Sequence, residues 1–140
     1  MNAKILLSCL VAVMTAPLLL AHGDSSCGGG DDEFEFGPPT GATCPPEGTT
    51  LTFADFAEPF FESYCQRCHS SNVVGDDRQG APSDHNFDTI VEAKSLKDHI
   101  DWTTGAGPDA TNEIMPPGGP TPTLEERQNL SIWLACDDAT

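Results

Sequence analysis

Basic residues are scarce: 6 of the 140 residues are Lys or Arg, against 22 Asp or Glu, and the formal net charge is -16. A polyanion of this kind is repelled by nucleic-acid phosphates and by anionic lipid surfaces, which removes both as charge-driven partners. Partner proteins that meet it by charge must present basic patches, although a generic exported surface has the same composition. Strand signals are nearly absent, so a βαβ setting for any redox motif is not expected. Large aliphatic side chains are few, which leaves a thin core for a helical domain of this size. One long apolar run exists, Ile5 to Ala21 behind Lys4, interrupted by Ser8, Thr15 and Pro17. It is short for a spanning helix, which needs roughly 20 apolar residues, and it reads as a secretory signal over residues 1–26.

Residues 27–43, rich in Gly, Asp and Pro, carry no helical or strand period and are expected to form a flexible tether. The domain proper is then expected over residues 44–140, with no internal repeat. Three helices can be read within it. Phe56, Ala57, Phe60, Phe61, Tyr64, Cys65 and Cys68 share one helical face. Because Pro59 is tolerated in a first turn but not in an interior, that helix should start between Asp55 and Glu58. A second helix should follow Asp88, with Ile90, Val91, Leu96 and Ile100 inward and a break near Ser95. The third opens on Thr123 with a capping box through Glu126, and its buried stripe is expected to be Leu124, Leu130, Trp133 and Leu134. Loops 70–87 and 103–122 are long for so small a domain, which is usual for functional segments.

The stretch SYCQRCHSS, residues 63–71, concentrates the chemistry. A structural zinc site needs four ligands, typically two pairs, yet no second Cys-x-x-Cys or His-x3-His pair is present. A dithiol redox motif expects a strand leading into the pair, whereas here the pair ends a helix. The remaining reading is covalent haem. In Cys-x-x-Cys-His two thiols, Cys65 and Cys68, add across the haem vinyl groups, and the following imidazole, His69, reaches the iron. One haem c would also fill the thin core. The sixth ligand decides the function: methionine makes a closed electron-transfer site, and an open position admits small molecules. Met115, in EIMPPGGPTP, is the one methionine left once residues 1–26 are removed. Its flanking prolines and glycines set it apart from a packed core methionine. His85 and His99 are its competitors.

These residues resemble the class I, His/Met type of c-type cytochrome, over roughly residues 53 to 136. The likeness rests on CQRCH ending the first helix, MPP in a late loop, and a closing helix with an aromatic residue. It implies a mainly α fold, a small helical domain wrapped around one covalent haem. It also implies a crossing of the first and last helices through Ala57, Phe60 and Phe61 against Trp133 and Leu134. By the same resemblance Pro82 supplies the carbonyl that takes the imidazole N–H of His69. Phe61, Trp102 and Arg78 join Pro82 as the haem environment, the last two near the propionates; a buried tryptophan with some other acceptor and a plain surface arginine are the simpler alternatives.

Since the two helices should touch, Cys44 and Cys136 at their outer ends are expected to form a disulfide. Cys27, in SSCGGG, is similar to the acylated cysteine of bacterial lipoproteins, although Asp24 stands where that pattern prefers leucine. Cleavage near Ala21 and a free soluble protein is the other reading. The function expected is a non-enzymatic electron carrier of the bacterial periplasm or envelope, serving redox partner proteins, with optional membrane attachment through Cys27. The alternatives are an open-site haem protein, peroxidase-like or gas-sensing, and a carrier domain of a larger oxidoreductase.

Overall fold

The computed structural model describes residues 34–137. The expected signal and the first part of the expected tether, with Cys27, lie outside the described residues. The described chain is mainly helical, with no strand beyond an isolated antiparallel bridge between Ala106 and Thr111. No described helix is long and apolar enough to cross a membrane.

The first helical segment opens as a wide π turn, Phe53–Ala57, capped by the Thr52 hydroxyl, which accepts from the Asp55 N–H. It runs directly into α1, Glu58–Tyr64, whose first turn holds Pro59. A short 3₁₀ turn, Gly75–Arg78, interrupts the loop that follows. The second helix starts one residue later than expected, on a Thr89 cap, and does break. α2 covers Ile90–Ser95 and α3 covers Lys97–Thr104, divided at Leu96. Of its expected inward residues, Ile100 is buried, Ile90 and Leu96 are half-buried, and Val91 is exposed.

The last helix, α4, spans Leu124–Ala135 and carries the reciprocal capping box: Thr123 Oγ1 accepts from the Glu126 N–H, and Glu126 accepts from the Thr123 N–H at 2.7 Å. Leu124 is a correction to the expected stripe: it is 55% exposed, in the first turn. Arg127 takes the inward place one turn on, ahead of Leu130, Ser131, Trp133 and Leu134. A buried cation is tolerated because its guanidinium finds carbonyls, donating to Thr104, Asn112 and Met115.

The core is largely aromatic. Phe61 is fully enclosed and meets Trp133 edge-to-face at 6.0 Å and Phe87 at 5.3 Å. Ala57, Phe60, Leu130 and Leu134 belong to the same cluster. Such ring pairs contribute about 0.5–1.5 kcal/mol each beyond their area burial. At the far end of α4, Lys94 donates to the carbonyls of Trp133 and Cys136 and stands 4.1 Å above the Trp133 ring. A cation there answers the negative helix end.

Packing begins earlier than the tether expectation placed it. Residues 37–41 lie against the body: the Gly37 N–H donates to the Trp102 carbonyl, and Thr40 is fully buried. A Cβ at Gly37 would collide with the Asn112 side chain and the Trp102 carbonyl. The carboxylate of Asp101 gathers three donors, the Thr40 N–H at 3.0 Å, the Thr40 hydroxyl at 2.7 Å and the Ser131 hydroxyl at 2.6 Å. It thereby joins the incoming segment, α3 and α4. Composition marks this stretch as a tether because it has little apolar surface; hydrogen bonds hold it instead.

Cys44 and Cys136 form the expected disulfide, spanning 92 positions of sequence. Closing so long a loop removes chain entropy from the unfolded state, worth about 4 kcal/mol. The Cys44→Ala/Cys136→Ala chain should therefore lose stability of that order in urea titration, while keeping its far-ultraviolet circular dichroism. An unchanged denaturation midpoint would contradict the assignment.

Candidate functional site: the CQRCH turn and its supports

The Cys65 N–H donates to the Phe61 carbonyl, and the Cys68 and His69 N–H groups both return to the Cys65 carbonyl, at 3.0 and 2.9 Å. The chain from Cys65 to His69 is thus one further helical turn, which gathers both thiols and the imidazole. Both cysteines are free. Desolvation pushes the Cys65 thiol up to about 12, against a smaller opposing pull from the Arg67 and Arg127 cations. A dithiol oxidoreductase relies on a thiol shifted the other way, which Cys65 does not show. Nor do three or more His, Cys, Asp or Glu side chains converge for a metal ion among the described residues.

His69 is held from two sides. Its ring stacks on Phe87 at 4.8 Å with 17° between planes, and the Phe87 N–H donates to the His69 carbonyl. Its Nδ1 lies 2.9 Å from the His85 carbonyl. Burial lowers the imidazole pKa, so the ring is neutral at neutral pH. A neutral ring facing a carbonyl through Nδ1 must carry its proton there, which leaves the Nε2 lone pair unprotonated. That is the state in which histidine binds a metal.

The carbonyl in question corrects one expectation. Pro82 is exposed, and its oxygen accepts from Arg78 at 2.6 Å. His85 supplies the acceptor, because its own N–H turns back onto the Pro82 carbonyl and carries the chain round. Arg78 is likewise neither a surface residue nor a group free to meet a propionate. It is 7% exposed and donates to the carbonyls of Ser70, Val73, Ala81, Pro82 and His85 and to Asn86 Oδ1. It is the organiser of loop 70–87.

Met115 is half-buried. Its N–H donates to the Thr103 carbonyl at 2.9 Å and its carbonyl accepts from Arg127 at 3.1 Å. Arg67, between the two cysteines, donates to the carbonyls of Gly119 at 2.9 Å and Gly118 at 3.2 Å. The Met115 loop is therefore tied directly to the CQRCH turn. A further tie is Tyr64, whose hydroxyl donates to Glu126 at 3.0 Å. Of the other expected site residues, Phe61 lies in the aromatic core with its ring tilted against Phe87. Trp102 stands apart, half-buried beside Phe36 and His99. His85 and His99 face each other, and the backbone of His85 lies on the Nδ1 side of His69, opposite to Nε2.

Sequence reasoning missed Arg67, Arg127 and the His85 carbonyl. For Arg127 a signal existed, since it lies three and four residues before Leu130 and Ser131 on the inward stripe. Arg67 occupies a position the motif leaves free, and no pattern announces its reach.

Comparison with protein-family models, curated proteins and solved structures returned no match. The residues themselves fit a covalent haem. Two reduced thiols and an imidazole with a carbonyl-bound Nδ1 share one turn, and a methionine-bearing loop is fastened to that turn by Arg67.

Two outcomes are expected. Arg78→Met leaves several enclosed carbonyls without donors, so it should cost about 3 kcal/mol of stability in urea titration; a loss under 1 kcal/mol would contradict its role. The Glu126 carboxyl is held below its ordinary value, first by the Thr123 N–H and then by the Thr123 and Tyr64 hydroxyls, against an opposing desolvation. Its folded pKa is depressed, so its contribution is complete above the ordinary carboxylate range and is lost as pH falls through the folded value. Glu126→Gln should therefore lower stability above the carboxylate range and flatten the acid limb of the stability–pH curve. It should also shift the alkaline limb, because Glu126 raises the Tyr64 phenol pKa.

Proposed function

We propose that the chain is an exported monohaem c-type cytochrome that passes single electrons between redox partner proteins and has no catalytic residue of its own. The observation that carries this reading is the CQRCH turn, with two free thiols and an imidazole whose Nδ1 is committed to the His85 carbonyl. Cys65 and Cys68 would hold the haem by thioether bonds, and His69 and Met115 would ligate its iron. When bound, the haem supplies an iron centre that alternates between two oxidation states.

The chain's own residues set the conditions for that chemistry. The His85 carbonyl fixes the His69 ring and raises its basicity as a ligand. Phe87 and Phe61 keep water from its rear face. Arg67 holds the Met115 loop against the turn and Arg127 holds Met115 to α4, so a ligand from that loop would meet little reorganisation on electron transfer. The acidic surface suits partners with basic patches and association rates that fall with salt. The N-terminal apolar run supports export to a bacterial periplasm or envelope, and an acylated Cys27 would attach the protein to a membrane.

The test is a visible spectrum of the protein made in a host that attaches haem, reduced, with and without carbon monoxide. Sharp low-spin bands untouched by carbon monoxide are expected. A shifted spectrum would point to an open sixth position and to peroxidase-like or gas-sensing use. Met115→His should lower the reduction potential clearly, and an unchanged potential would remove Met115 as the ligand.

A further inference from the structure

His85 and His99 come together from different parts of the chain, and the electron-carrier reading uses neither ring. His85 Nε2 stands 3.2 Å from His99 Nδ1. Two imidazole nitrogens bound at ~2.05 Å to one tetrahedral ion would be about 3.3 Å apart. We propose that these two rings form a binding site for an imidazole-preferring divalent ion such as Cu²⁺ or Zn²⁺, distinct from the CQRCH turn.

The surroundings are those of a prepared site. On the far side of the His85 ring, Nδ1 lies 2.9 Å from the Asp84 carboxylate, which sets the tautomer that presents Nε2 to the ion. A carboxylate behind a histidine in this way orients the ring and raises its basicity. The His85 backbone is fixed by the donors on its carbonyl, His69 Nδ1 and Arg78. His99 projects from α3, with the Phe36 ring 4.8 Å and the Trp102 ring 6.2 Å away. Both histidines are half-buried, so the rings are restrained while solvent still reaches the pair. No third protein ligand converges among the described residues, and water would complete the coordination. Micromolar affinity is the corresponding expectation, with Cu²⁺ bound more tightly than Zn²⁺. Without an ion, one ring N–H donates to the other ring at the same distance.

Calorimetric titration of the exported, haem-bearing protein with copper or zinc salts tests this. One ion per chain with micromolar affinity is expected. His99→Gln and His85→Gln should each weaken it at least tenfold, and Asp84→Asn about tenfold, with the circular dichroism unchanged. The copper form should show two nitrogen ligands by electron paramagnetic resonance. The visible spectrum of the haem should stay unchanged through the titration, so the site reads independently of the haem iron. Absence of binding up to millimolar ion would overturn the proposal. So would binding that both histidine variants leave intact.

Discussion

The contact on which the site depends is the one between His69 Nδ1 and the His85 carbonyl. It decides the tautomer of the ring and so decides which nitrogen keeps a lone pair. That carbonyl is not where it is by local propensity. Arg78 holds it, along with four other backbone carbonyls and Asn86, by a guanidinium buried inside loop 70–87. A loop with a single short 3₁₀ turn thus obtains the backbone pairing that a strand or longer helix would otherwise provide. Phe87, at the end of the same loop, stacks on His69 and packs tilted against Phe61, and so joins the turn to the core.

The other supports follow the same economy. The fold has few large aliphatic residues to bury, and its segments are joined by charged groups placed on carbonyls or hydroxyls. Arg127 ties α3, the Asn112 segment and Met115 to α4. Asp101 ties residue 40 to α4. Arg67 ties the Met115 loop to the cysteine turn. Lys94 closes the end of α4, next to the Cys44–Cys136 bridge. In a domain with a small aromatic core these contacts matter more than in a larger one, because hydrophobic burial is limited by size.

Much of the helical framework was legible, for reasons that are local. Pro59 limits where α1 can begin, TLEE announces α4 through its capping box, and the imperfect period after Asp88 foretold the break between α2 and α3. The disulfide followed from the placement of Cys44 and Cys136 at the ends of the domain. What escaped was mostly non-local. Residues 37–41 read as a tether because their hold on the body is hydrogen bonding to Asp101 and the Trp102 carbonyl, which leaves no apolar period. Leu124 read as core because helical phase alone cannot tell which side of a first turn meets solvent. Pro82 was assigned the role of acceptor by family likeness, whereas the turn after it delivers the His85 carbonyl. Arg78 and Arg127 carry charges that composition assigns to the surface, and carbonyls brought together only by folding make their burial favourable.

The central claim is that Cys65 and Cys68 carry a covalent haem. Denaturing mass spectrometry of the mature protein, exported from a host with haem-attachment machinery, tests it most directly. The account predicts a mass greater than the polypeptide's by one haem, lost in the Cys65→Ala/Cys68→Ala chain. A polypeptide of unaltered mass with both thiols open to alkylation, from a host that loads other c-type cytochromes, would contradict it.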